Sequence, residues 1–170
     1  MSAPSFDDNL NLESRLSLLR SIASLETLGT DVLTEIASNL VVERFPMDSV
    51  ILREDTFGDR LYLIQSGVVG VYTDGATGLV QLGKLGAGDR FGAVSLHTSI
   101  RRKRTTMKAL TPVVALTLTA ESYDHLTTMS PTFRAELACA LDSFMEGRFG
   151  ALMQARAMMT PPVDGRPADA

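Results

Sequence analysis

The residues most suited to chemistry fall in two neighbouring stretches. The first is Phe91-Gly92-Ala93-Val94-Ser95-Leu96; the second is the basic run Arg101-Arg102-Lys103-Arg104, followed by Thr105-Thr106. Gly92 opens a short apolar turn of helix. The start of a helix presents unpaired N–H groups and the positive end of its dipole, and a glycine there lets a phosphate come close. The basic run sets clustered cations just after that turn. Together these read as a pocket for a small phosphate-bearing ligand. The chemistry is binding, and no catalytic residue is expected: Ser66 and Ser95 have no base nearby in sequence.

The composition narrows the surroundings. The chain has 170 residues, 45% of them hydrophobic, which is enough for one domain with a real core. With 16 Lys and Arg against 20 Asp and Glu, it lacks the basic footprint of a nucleic-acid binder. Taken alone, Arg101–Arg104 would also suit nucleic acid, but it lies inside the strand-rich part of an acidic protein. The single Cys139 excludes an internal disulfide, and no apolar run approaches the ~20 residues of a membrane span. A cytoplasmic protein is expected. His97 and His125 are the only histidines, too few for the metal site of a cupin-like enzyme, so no metal and no cofactor are expected.

The elements that must position the pocket follow from periodicity and punctuation. Residues 1–9 read as disordered. Leu12, Leu16, Leu19 and Ile22 mark a helix over about 10–25, and Thr30 is the expected N-cap of a second carrying Val32, Leu33, Ile36 and Leu40. From about 41 to 118, short β-branched segments recur between turn residues, the signature of an antiparallel roll or sandwich. Within it Leu61 and Leu63, like Val69 and Val71, alternate as in half-buried strands, and Tyr72-Thr73-Asp74-Gly75 reads as a hairpin turn, with a loop longer than two residues toward Val80 as the alternative. Helices return at Ala120–Met129 and after Ser130-Pro131, a favourable cap pair. Gly147 and Gly150 each cost a helix roughly 0.5–1 kcal/mol, so a bend or break is expected there. The last helix should cover the roll before Gly147 and serve association after it, through its Met-rich face. Residues 160–170 read as a disordered tail.

This order resembles the cyclic nucleotide-binding domain, the regulatory module of protein kinase A, of nucleotide-gated channels and of catabolite-activator-type regulators. The resemblance rests on Gly58-Asp59-x-Leu61-Tyr62-Leu63-Ile64-x-Ser66-Gly67, on Leu85-Gly86-x-Gly88-Asp89-x-Phe91-Gly92, and on Thr105-Thr106-Met107-Lys108-Ala109. It implies an α+β fold: a β-roll (a jelly-roll-like double-stranded β-helix) with N-terminal helices and a long C-terminal helix, one domain over 10–159.

The resemblance also implies a phosphate-binding cassette over Phe91 to Leu96, with an arginine some ten residues later. Ala93 stands where the family has a glutamate that accepts the ribose 2′-hydroxyl. Losing that charge-assisted bond costs about 1.5–3 kcal/mol, ten- to hundredfold or more in affinity. Counting back from Ala109 puts Lys103 in the arginine slot; a local bulge would put Arg104 there. Asp48 and Asp55 replace glycines at which the family turns tightly.

Two functions follow as expectations. One is a stand-alone regulator that senses cAMP, cGMP or a related anionic nucleotide, has no DNA-binding domain, and signals by associating with a partner or a second copy under a lid formed by helix 131–159. The other is a scaffold or adaptor with a dead pocket, working through the C-terminal helix as a homodimer or heteromer.

Overall fold

The computed structural model describes residues 11–21, 25, 28–56, 59–92, 105–129, 134–135 and 148–159. Expectations for the two chain ends, for Gly147 and for most of 130–147 lie outside these residues.

Two helices open the chain. Helix α1 (Leu12–Arg20) starts at Asn11, whose side-chain oxygen accepts a bond from the Ser14 N–H at 2.8 Å, and ends short of the expected 25. Helix α2 (Thr30–Asn39) is capped by Gly29 and not by Thr30. Gly29 keeps an extended backbone while Thr30 is already helical, and no side chain caps this end. The far end of α2 is closed from α1: the Arg15 guanidinium donates to the carbonyls of Ala37 and Leu40, at 3.3 and 2.9 Å. A cation placed on the last carbonyls of a helix also faces the negative end of its dipole.

Among the described residues eight strands follow: β1 (Val41–Phe45), β2 (Val50–Leu52), β3 (Arg60–Ser66), β4 (Val69–Gly75), β5 (Gly78–Leu85), β6 (Arg90–Phe91), β7 (Thr106–Ala109) and β8 (Val113–Thr119). They form two antiparallel four-stranded sheets, ordered β1-β8-β3-β6 and β2-β7-β4-β5. Helices α3 (Ala120–Met129) and α4 (Arg148–Met159) complete the described chain. Gly150 lies inside α4, so no break occurs there.

Two cores share the first sheet. On its outer face Leu61, Leu63, Leu116 and Leu118 pack with Leu19, Leu33, Ile36, Tyr123 and Leu126 of the helices. On its inner face Tyr62, Ile64, Phe91, Val113 and Ala115 meet Val69, Val71, Leu85 and Met107 of the second sheet. Strand β3 is therefore buried on both faces from Leu61 to Ile64, where alternation suggested a half-buried strand. The helical layer supplies the second cover.

The β4–β5 turn is Ala76-Thr77; Tyr72 to Gly75 belong to β4, with Gly75 paired to Gly78. The hairpin thus turns later than its sequence suggested, and Gly78 takes the positive φ, 125°. Asp48 and Asp55, at φ 68° and 60°, are the non-glycine residues with positive φ among those described. Aspartate tolerates this left-handed region better than most side chains. The tight turns are kept without glycine.

Candidate functional site

Strand β6 ends at Phe91 in the first sheet and β7 begins at Thr106 in the second, so the run between them links the two sheets. Of the expected site residues, Phe91, Gly92, Thr105 and Thr106 are described. Ala93, Val94, Ser95, Leu96, Lys103 and Arg104 lie outside the described residues.

Phe91 is a core residue. It is 2% exposed, pairs with Tyr62 across the strands, and stacks on its ring with centroids 4.8 Å apart and planes 8° from parallel. Gly92 has φ 90°, and a Cβ there would sit 2.4 Å from the Arg60 carbonyl oxygen. Any side chain would collide with that backbone, so position 92 requires glycine on steric and conformational grounds. Arg90 lies opposite Leu63 and thus shares the helix-facing side of the sheet. Burial lowers its pKa, and Asp89 opposes the shift.

Next to Gly92 the inner face carries a polar group that sequence reasoning missed. The Glu43 carboxylate accepts from the Arg60 guanidinium and, at 3.1 Å, from the fully buried Thr117 hydroxyl. Arg60 is held further toward its charged form, mainly by Glu43. The Tyr62 phenol is pushed up to about 12, chiefly by burial; Glu43 adds to the shift and Arg60 opposes it. No spacing motif links Glu43, Arg60 and Thr117; the register of β1, β8 and β3 does so.

At the other side of the roll, Thr105 and Thr106 are 3% and 7% exposed. The Thr106 hydroxyl accepts from the backbone N–H of Glu54 at 3.0 Å. The Glu54 carboxylate in turn receives the Asp74 N–H at 2.9 Å, the Thr73 hydroxyl at 3.3 Å and the Arg156 guanidinium of α4 at 2.6 Å. Arg156 also donates to Thr73 through Nε at 3.0 Å. Leu152 lies over Gly83, where a Cβ would come within 2.6 Å of it, and Leu152 and Met153 pack against the inner core. Helix α4 therefore covers the roll after Gly147, where association was expected, while Met158 is 88% exposed. These contacts bring residues from 54 to 156 together, a separation at which sequence carries no signal.

His125 is exposed on α3, whereas His97 and Cys139 lie outside the described residues. No helix among the described residues is long and apolar enough to cross a membrane.

Comparison with known proteins agrees with this architecture. The family model described as "Cyclic nucleotide-binding domain" matches residues 42–129, more than half of the chain. The chain is 30% identical over 118 residues to the cGMP-dependent protein kinase, isozyme 1, of Drosophila melanogaster, covering 68% of this chain and 15% of that protein. It is 31% identical over 108 residues to the cAMP-dependent protein kinase regulatory subunit of Debaryomyces hansenii, covering 64% and 23%. The chain thus spans less than a quarter of the length of either relative. In three dimensions it superposes on a cyclic nucleotide-binding domain from Methylobacillus flagellatus with a TM-score of 0.73 at 22% identity, over 88% of this chain and 84% of the other. Because that family model covers more than half of a chain whose two facing sheets carry a helix laid over the roll, the chain belongs to the cyclic nucleotide-binding domain family.

Proposed function

We propose that this chain is a regulatory sensor that binds cAMP, cGMP or a closely related anionic nucleotide between Gly92 and Thr106 and acts by binding, not by catalysis. The observation that carries the reading is the family match over residues 42–129, which takes in Gly92 at the end of β6, where a left-handed backbone pressed against the Arg60 carbonyl admits no side chain. Family membership supports the ligand class, and the kinases and regulatory subunits among the relatives support a regulatory output. Lys103 or Arg104 supplies the cation, with Thr105 and Thr106 beside it.

Ala93 makes the affinity low for the family. Restoring the carboxylate with Ala93→Glu is expected to tighten binding by roughly ten- to hundredfold. Titration calorimetry on the apo protein tests both statements. No heat from cAMP or cGMP at millimolar concentration, in either the natural chain or the variant, overturns the reading.

The proposed output is association, with a partner or a second copy, through the C-terminal helix, whose Met158 is exposed. A cytoplasmic setting, consistent with a single cysteine, belongs to the same proposal. The second reading, a scaffold with a dead pocket, is favoured by Ala93 and keeps the same association surface. Truncation after Glu146 would abolish association in both readings, and only nucleotide titration separates them.

A further inference from the structure

Among its described side chains, helix α4 touches the roll with few. Leu152, Met153 and Arg156 are half-buried, whereas Ala151, Gln154, Ala155, Ala157 and Met158 are exposed. Arg156 is the polar anchor, and its receptor, Glu54, has a side chain only 9% exposed. A carboxylate so buried depends on its cation and donors, because removing one leaves an uncompensated charge. The same residue is tied through its backbone to β7: the Glu54 N–H donates to the hydroxyl of Thr106, the first residue of that strand and one of the proposed site residues. One residue thus holds the docked helix by its side chain and the start of β7 by its main chain.

We infer that Glu54 is a positioning residue that couples the ligand site at Thr106 to the docking of α4. The inference rests on the nucleotide-binding reading above. A ligand engaging Thr105 or Thr106 alters the acceptor that fixes the Glu54 backbone, and so the placing of the carboxylate that holds Arg156. By linkage, a docked α4 favours the same arrangement of Thr106. The path is contiguous, two hydrogen bonds through one residue, and does not pass through the apolar core.

Hydrogen exchange of the α4 amides, measured on the full chain, tests this without ligand. Glu54→Gln and Arg156→Met are expected to speed exchange over 148–159 by roughly tenfold or more, with β3 and β8 unchanged. Arg156→Lys, which keeps the charge, should retain most of the protection. The decisive variant is Thr106→Val, which removes the hydroxyl from Glu54 without touching α4. It should also speed α4 exchange, while Thr106→Ser should not. If α4 exchange is unchanged in Thr106→Val or in Glu54→Gln, the coupling is overturned.

Saturation with cAMP or cGMP adds a second arm. The natural chain should slow α4 exchange on binding, and Glu54→Gln should not. Equal slowing in both overturns the coupling. Absence of calorimetric heat instead overturns the nucleotide reading and leaves the ligand-free comparison to judge Glu54.

Discussion

At Tyr62 a single buried hydroxyl turns packing into a pH dependence. The fold favours the neutral phenol, whose pKa is moved from 10.0 to about 12 mainly by burial. A pKa raised on folding means that the native state holds the proton where the unfolded chain releases it. The contribution is complete below pH 10 and is lost as pH rises toward about 12. Urea midpoints between pH 9 and 12 should therefore fall in the natural chain, and Tyr62→Phe should flatten the part of that slope due to this residue. Asp55 makes a separate case. At φ 60°, Asp55→Val places a β-branched side chain in the left-handed region and should cost roughly 1–2 kcal/mol, whereas Asp55→Gly should stay within about 1 kcal/mol of the natural chain. Chemical denaturation of the two variants tests this. The demand at position 55 was legible through the family resemblance, which puts a glycine at that tight turn, and not from the local residues. The Glu43–Arg60–Thr117 group was not, because strand register and not local spacing assembles it.

Elements were read best where local signals and packing agree. The roll spans 41–119 against an expected 41–118, and α3 runs from Ala120 to Met129 as its pattern indicates. The misreadings fall where tertiary contacts decide. Alternation in β3 could not reveal a helical layer on its second face, and the hairpin shifted because Ala76-Thr77, without turn-forming residues, still closes the turn beside Gly78. The interaction of α1 with α2 lends itself to measurement. Arg15 closes two carbonyls at the end of α2, so Arg15→Met should lower stability by about 1–2 kcal/mol. A urea midpoint unchanged by that substitution would show that the end of α2 is satisfied without α1.

Because the first sheet is wall to both cores, the molecule should unfold as one unit and not as roll and helices in turn. Leu116→Ala, on the helix side, and Ile64→Ala, on the roll side, should each cost about 2–5 kcal/mol and shift the same transition. Far-ultraviolet circular dichroism and tyrosine fluorescence should trace coincident curves in both variants; two separated steps would contradict a shared wall. Of the residues expected at the site, the strand order was legible enough to put Gly92 just after β6 and Thr105-Thr106 at the start of β7. The tie of Thr106 to α4 was not legible, because Glu54 and Arg156 stand 102 positions apart.

One strand of this arrangement has a consequence for handling the protein. Among the described residues β5 is bonded to β4 on one side only, and its first half carries the exposed Leu79 and Val80. An open ribbon of main-chain donors and acceptors beside apolar side chains invites a neighbouring molecule to zip on, most of all when heating loosens the fold. Val80→Lys should delay the turbidity that concentrated samples develop on warming, leaving the melting temperature nearly unchanged. The limit on storing this protein would then lie in how its rim meets other molecules, not in how firmly its interior holds.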